Sequence, residues 1–161
     1  MNEALNLALN YVGAKVYICD VGATPTDANR ILGVTRVTNP GGVERGVQQY
    51  IPLDTGVIKK VPTTINVKNM TLEVAHEDET SIKLLDELVT KTGTDMYKDF
   101  YYIPTKREDW TASGAFYCTV AVIDSTPNDA VAEGYQASSY TLAVQGYKTA
   151  YTGTIGEDSG Q

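Results

Sequence analysis

The segment Thr63–Gly93, TTINVKNMTLEVAHEDETSIKLLDELVTKTG, changes its hydrophobic period and thereby decides the fold class. In its first half, apolar and polar residues alternate as in a strand with one buried face. The apolar positions are odd-numbered at Ile65 and Val67 but even-numbered from Met70 onward. Because a strand has a period of two, the sequence predicts a bend at residues 68–69, or else a strand that is covered on both faces there.

The second half of the segment has helical spacing. Its apolar residues recur at intervals of three or four, at Ile82, Leu85, Leu88 and Val89. The acidic run 77–79 suits a helix N-terminus, and Lys91 with Gly93 suits a C-terminus. The pattern predicts a helix of about three turns with one buried stripe.

Strand-like runs flank this segment on both sides. Upstream, residues 14–21 and 30–38 predict a first hairpin; downstream, residues 96–103, 114–123 and 136–148 predict three more strands, the last with the clearest alternation. Roughly six strands and one helix indicate a mainly β fold, either a two-sheet β-sandwich or a partly open barrel with one flanking α-helix. A length of 161 residues fits a single domain, 1–161.

Residues 39–63 do not fit a regular element. Prolines and glycines interrupt the segment, yet it is too apolar for a solvated linker. The sequence therefore predicts a long inter-strand loop with something to bury. The last ten residues, 152–161, have almost nothing to bury and predict a flexible tail.

Charge and residue types exclude several functions. The formal net charge of −7 argues against a surface that binds phosphate, so any relation to DNA is one of avoidance. The N-terminus lacks the basic region of a secretory signal, and no apolar run approaches bilayer length. Cys19 and Cys118 lie in strand-like runs without ligand spacing, as buried free thiols of a reducing compartment do.

The sequence shows no combination of side chains that is typical of a catalytic site. His76 is the only histidine, and its place at a strand end indicates a surface or capping residue. The carboxylate pairs Asp95 with Asp99 and Asp86 with Glu87 are structural on this interpretation. We predict no catalytic residue, no cofactor and no metal site. The 11 tyrosines, against two phenylalanines, suit either a surface that a partner buries or the margin of the protein's own core.

The order of these pieces resembles the major tail tube family of siphophages, that is, long-tailed bacteriophages. The resemblance covers most of the chain and lies in AKVYICDV, ILGVTRVT followed by NPGGVERGVQQYIPLDTGVIKK, the strand TLEV before SIKLLDELVTKTG, and the closing YTLAVQGYKTAY.

The resemblance implies a structural virion protein. Such proteins form hexameric rings whose inner sheets join into one barrel, and the rings stack into the tail tube through which the genome leaves. It implies homo-oligomerisation, tape-measure and tail-terminator or tip proteins as partners, DNA that passes without specific binding, no membrane, assembly in the host cytoplasm and location in the virion tail. For the loop after the second strand, the resemblance implies contacts with neighbouring subunits or rings. Such contacts would explain the apolar residues of the loop.

Two sets of candidate residues follow. The subunit or ring contacts expected in the loop are Val43, Glu44, Arg45, Val47, Tyr50, Ile51, Leu53, Asp54, Val57, Ile58, Lys59 and Lys60. The candidates for the channel lining are Asn69, Thr71, Glu73, Thr141 and Gln145, with Ala143 among them; the alternative is that they face the outer solvent. An acidic wall there would repel phosphates.

Two other functions are open. The first is a tube protein of another injection or secretion system, which shares this general arrangement. The second is a ligand-binding β-sandwich module, in which exposed tyrosines and Trp110 would form a stacking platform for a carbohydrate or peptide.

Overall fold

The structure, a computed structural model, describes residues 12–104 and 114–153. The chain order of the strands is β1 (Lys15–Cys19), β2 (Arg30–Ile31), β3 (Val34–Thr38), β4 (Val43–Tyr50), β5 (Lys59–Val67), β6 (Met70–Ala75), β7 (Tyr97–Ile103), β8 (Phe116–Pro127) and β9 (Ala137–Ala150). Helix α1 (Glu79–Leu88) lies between β6 and β7. No helix in these two ranges is long and apolar enough to cross a bilayer.

Seven strands form one antiparallel sheet in the order β2-β1-β7-β8-β9-β6-β3, and β4 pairs with β5 in a separate two-stranded sheet. The large sheet is curled, so the mainly β fold with a flanking helix is confirmed in the form of a partly open barrel with a small second sheet. Long strands β8 and β9 form its centre.

One face of the large sheet carries the core. Strand β6 shows the alternation most clearly, because Met70, Leu72 and Val74 are fully buried while the residues between them are half-buried. The same core contains Leu85 and Leu88 of α1. The predicted helix and its buried stripe are therefore confirmed.

Side-chain hydrogen bonds fix the start of α1. The Asp78 carboxylate accepts hydrogen bonds from the Ser81 amide at 3.0 Å and the Ser81 hydroxyl at 2.7 Å. This satisfies a helix N–H that has no partner within the helix. The Ser81 oxygen in turn accepts a hydrogen bond from the Leu32 amide at 3.0 Å. The helix is thus tied to the segment that joins β2 and β3.

The phase change in the sequence marks a passage between sheets. Strand β5 ends at Val67 and β6 begins at Met70, and the two belong to different sheets. The bend predicted at residues 68–69 is confirmed.

The prediction that residues 39–63 form a loop was wrong. Most of this range belongs to β4 and β5, which pair over their whole length as a hairpin. Pro62 was one of the residues that indicated a loop, yet it lies within β5, opposite Val47 and next to a β-bulge. Proline is tolerated there because each strand of a two-stranded ribbon has a free edge, so a missing N–H costs the sheet little.

The prediction of a first hairpin was also only partly right. Strand β1 pairs with β2 over two residue pairs, whereas β3 pairs with β6 at the far edge of the sheet. Gly33 separates β2 from β3 with a φ of 86°, and a Cβ atom there would lie 2.6 Å from the Ala75 carbonyl oxygen. Only glycine adopts this backbone so close to another chain segment without strain.

Candidate assembly interface

The hairpin of residues 43–67, which we call the arm, stands apart from the core. Nearly all its side chains are exposed on both faces. Its eight-residue first strand alone spans about 25 Å at the usual rise of a β-strand. An isolated two-stranded hairpin is only marginally stable in water. Contact of its exposed apolar side chains with another surface would therefore stabilise the arm.

The two faces of the arm differ in polarity. Residues directly opposite each other share a face, and one face pairs Val43 with Val67, Arg45 with Ile65, Val47 with Pro62 and, next to the tip, Gln49 with Lys60. The other face carries Glu44, Asn66, Gln48 and Val61, and it ends at Tyr50 with Lys59. The first face is therefore mainly apolar from Val43 to Val47 and polar next to the tip, while the second face is mostly polar. The extra residue of the bulge lies in β5, where Thr63 and Thr64 oppose Gly46, and it breaks the alternation in that part of the sequence.

The tip of the arm is apolar as well. Residues 51–58 join the two strands, and the Gly56 amide donates a hydrogen bond to the Pro52 carbonyl at 2.9 Å. Leu53 is fully exposed, at 104 % of its reference area, and the apolar residues Ile51, Val57 and Ile58 are also exposed. Single exposed apolar residues are common, but a contiguous set of this size marks a contact surface.

All twelve loop candidates lie on the arm. Its charged members, Glu44, Arg45, Asp54, Lys59 and Lys60, make no ion pair within residues 12–104 and 114–153; the ion pair found there joins Lys98 to Asp20 at 2.6 Å. That the candidates contact another subunit stays a prediction. The exposed apolar residues Val61 and Ile65 were not among the candidates, because Val61 was assigned to the loop without a role and Ile65 to a strand with one buried face.

The root of the arm is held firmly. Gly41, with a φ of 67°, lets the chain pass against β9: a Cβ atom there would lie 2.6 Å from Cδ of Lys148 and 3.2 Å from Cζ of Phe116. The Lys148 ammonium lies 5.2 Å from the centre of the Phe116 ring. The Lys68 amide closes the base with a 2.9 Å hydrogen bond to the Gly42 carbonyl. The root thus fixes the direction in which the arm leaves the body.

Most of the channel-lining candidates share one face of the large sheet, opposite the core. Thr71 lies directly opposite Thr141, and Glu73 opposite Ser139. Gln145 lies further along β9, opposite Thr119. Asn69 is exposed in the connection before β6, outside the sheet. That this face lines a channel stays a prediction.

The part of this face around Thr71 and Thr141 carries two carboxylates and one arginine. Glu73 pairs in register with Arg36 of β3, and Asp124 pairs with Thr141. Many of the described carboxylates lie elsewhere, around the start and outer side of α1. This part of the face is thus mostly Thr, Ser, Ala and Gln, and its arginine, Arg36, is matched by a carboxylate. A second arginine, Arg30, lies further along the same face, opposite Tyr17.

The other end of the same face is covered by tyrosines. Tyr17, Cys19 and Tyr101 are buried in a second small cluster, where the Tyr101 ring stacks on Tyr117 with centroids 5.0 Å apart. The edge of Tyr151 meets Tyr101 at 4.9 Å. These tyrosines serve the protein's own packing, while Tyr50, Tyr135 and Tyr147 are exposed. Packing at the margin of the protein's own core is thus confirmed for Tyr17 and Tyr101, while burial of the exposed tyrosines by a partner stays a prediction.

The groups considered for catalysis have structural partners. The exposed His76 lies 2.8 Å from the Ser138 hydroxyl through Nε2. The Asp99 carboxylate is buried and accepts hydrogen bonds from the Gly22 amide and the Thr119 hydroxyl, both at 3.0 Å. In the described ranges, no group of three His, Cys, Asp or Glu side chains has the geometry of a metal site.

Burial raises the pKa of two thiols and of a tyrosine hydroxyl in the core. Cys19 and Cys118 are buried free thiols, as predicted, and burial raises the pKa of each to about 11. Burial raises the pKa of Tyr140 to about 12, and its hydroxyl donates a 2.8 Å hydrogen bond to the Asp86 carboxylate, which acts in the same direction. The thiols of Cys19 and Cys118 therefore stay protonated near neutral pH, and protonated thiols are poor nucleophiles and poor metal ligands.

Comparison with solved structures identifies a class of fold. No protein-family model and no curated protein matches the sequence. A chain of the sheath/tube terminator of the extracellular contractile injection system PVC matches with a TM-score of 0.66 and 12% identity, over 90% of this chain and 97% of that one. A chain of the PVC sheath-tube complex gives 0.62 and 16%, over 92% and 95%.

The structure of a phage tail tube protein is also similar to that of this chain. The SPP1 tail tube matches with a TM-score of 0.56 and 14% identity, over 86% of this chain and 77% of that one. At these identities the likeness concerns the fold. The chain therefore has the fold of tail tube and tube-terminator proteins of phage-like injection systems, as the resemblance in the sequence predicted.

Proposed function

We propose that this chain is a structural subunit that assembles with copies of itself into a tube. The observation that carries the proposal is the arm: a ribbon whose root packs against β9, and whose apolar face and apolar tip are both exposed in the single chain. A second support is the fold, which occurs in proteins that build such tubes. A subunit with unsatisfied apolar surface gains free energy when another copy covers it.

The finer proposal is a phage tail tube of stacked hexameric rings. Cyclic symmetry would allow the open edges of the curled sheet, β2 and β3, to meet neighbouring subunits, which removes free strand edges. The tube would be part of the virion tail, assembled in the host cytoplasm with tape-measure and tail-terminator or tip proteins. We infer no enzymatic role.

The passage of DNA is proposed for the sheet face with Thr71 and Thr141. This face has few cations, so it would offer phosphates little to bind. Near Thr141 two carboxylates, Glu73 and Asp124, stand against one arginine, and this local excess, repeated around a ring, would add a weak repulsion within a Debye length of about 8–10 Å. DNA would therefore slide along the face instead of adhering to it.

A tube of a contractile injection system is the second candidate. Its support is that the PVC chains match with TM-scores of 0.66 and 0.62. Both candidates require the same self-assembly and differ in what passes through the channel and in what surrounds the tube. Association with a sheath protein would distinguish them.

Electron microscopy of the purified chain over a range of concentrations tests the proposal. We expect rings or tubes of uniform diameter with sixfold symmetry. Sedimentation velocity on the same samples should show a discrete large species. A protein that stays monomeric at the highest concentration attainable, with its arm exposed, would overturn the proposal.

A further inference from the structure

A groove with no role in the core lies at the loop between β8 and β9. Residues 128–136 form this loop, and together with His76 they line a groove of about 500 Å³. Val131 and Tyr135 are 64 % and 62 % exposed at its margin. We call it the β8–β9 groove. Two large apolar side chains beside one concave surface are a usual feature of a site that another chain fills.

The β8–β9 groove and the arm lie at opposite ends of the sheet. The arm leads into β6 at Met70, whereas β6 ends at Ala75, next to the groove. The register confirms this, because Ala75 lies opposite Ala137, the first residue after the loop. The His76 amide donates a 2.8 Å hydrogen bond to the Gln136 carbonyl, which ties the loop to this end of β6.

The two ends have opposite charge. The cations of the arm, Arg45, Lys59 and Lys60, outnumber its two carboxylates although the whole chain has a net charge of −7. Carboxylates crowd the other end. Glu77, Glu79, Asp86 and Glu87 line the surface beside α1, with one cation, Lys83, and Asp129 lines the groove itself. Attraction between such ends fixes the direction of association.

We propose that the arm of one copy seats its tip in the β8–β9 groove of the next copy. Leu53 and its apolar neighbours would enter beside Val131 and Tyr135, while Lys59 and Lys60 would face the carboxylates around the groove. The contact joins two different surfaces of the same chain, so it propagates head to tail. This inference rests on the proposed self-assembly and names the surfaces that meet.

Cross-linking between engineered cysteines tests the pairing in the full chain. The variant Leu53→Cys with Val131→Cys is assembled, treated with a short bifunctional thiol reagent and run on a denaturing gel. The matched control is Leu53→Cys with Tyr147→Cys, since Tyr147 is 62 % exposed but lies near the arm end of β9. The native thiols are buried and stay unreactive, so no background is expected from them.

We expect a ladder of covalent dimers, trimers and higher species for the first pair, and at least tenfold less product for the control. Assemblies that form normally without this ladder, or that give equal product with the control, would overturn the inference and leave the proposed function standing. A chain that forms no assembly under any condition would overturn both.

Charge reversal supplies an independent readout. Lys59→Glu with Lys60→Glu should lower the yield of assemblies at low salt, and adding Asp129→Lys should restore part of the yield. Lys59, Lys60 and Asp129 are all exposed, so folding is not at risk from these three substitutions. No restoration by Asp129→Lys, or equal restoration by the control Glu73→Lys, would contradict the assignment of the groove.

Discussion

Val47→Asp on the apolar face of the arm tests how much that face contributes to assembly. Val47 is 56 % exposed in the single chain and lies opposite Pro62. Complete burial of a valine contributes about 1.5 kcal/mol, so roughly half, about 0.8 kcal/mol, is available when another copy covers it. An unpaired carboxylate at the same contact adds a desolvation penalty of at least about 2 kcal/mol.

The two effects together weaken each contact by about 3 kcal/mol, which corresponds to roughly a 100-fold higher concentration for assembly. The fold itself should not suffer, because substitutions of exposed residues usually change stability by about 0.5 kcal/mol or less. Circular dichroism with thermal unfolding measures the monomer, and sedimentation velocity over a dilution series measures assembly.

Gln48→Asp is the matched control. Gln48 is the next residue of the same strand, is exposed, and points to the polar face. Gln48→Asp introduces the same negative charge into the same strand, and the thermal unfolding of both variants accounts for the higher β-propensity that Val47 loses. We expect assembly within about threefold of wild type, in keeping with the small effects of surface changes. Equal defects in both variants, or none in Val47→Asp, would refute the role of the apolar face.

Four further predictions concern the arm, its root, the sheet face and the buried thiols. Tyr50→Asp, at the end of the arm, should leave the monomer folded by circular dichroism yet abolish tubes in electron micrographs, and normal tubes would remove this residue from the contact. Gly41→Ala should lower the melting temperature more than Gly56→Ala, because both have positive φ angles but only Gly41 has neighbours, Lys148 and Phe116, within 4 Å; equal shifts would mean that the root packing contributes nothing. Thr141→Lys should let assembled tubes bind a fluorescent oligonucleotide in a salt-dependent manner that wild-type tubes lack, and the absence of binding would argue against a lumen position. Since burial raises the pKa of Cys19 and Cys118 from 9.0 to about 11, both thiols should resist iodoacetamide at pH 8, and rapid alkylation of the folded chain, read by mass spectrometry, would contradict their burial. As the pH rises, the unfolded state loses these protons before the folded state does. The free energy of unfolding should therefore fall between pH 9 and about pH 11.

Local patterns in the sequence predicted the helix and the bend well. The spacing of Ile82, Leu85 and Leu88 is a property of consecutive turns, so it could be read without knowledge of the rest of the chain. The phase change at residues 68–69 likewise follows from the period of a strand. Both features depend on neighbours in sequence, which is why they were recovered.

Features that depend on distant pairing were missed. That β3 pairs with β6 and not with β1 follows from the turn at Gly33 and from the curl of the whole sheet. Strand β4 and the first half of β5 were missed because glycines, Pro62 and the bulge interrupt the pattern, and only the mutual register of the two strands reveals two faces. Apolar composition located the candidate contact segment, but the β8–β9 groove required the three-dimensional arrangement.

Hydrogen exchange of the arm, measured by mass spectrometry on monomer and assembled protein, tests the central claim most directly. We predict that peptides from residues 43–67 exchange quickly in the monomer and become protected on assembly, while core peptides of β6 and β9 stay protected in both states. Assemblies in which the arm exchanges as fast as in the monomer would contradict the claim that copies of this chain cover it.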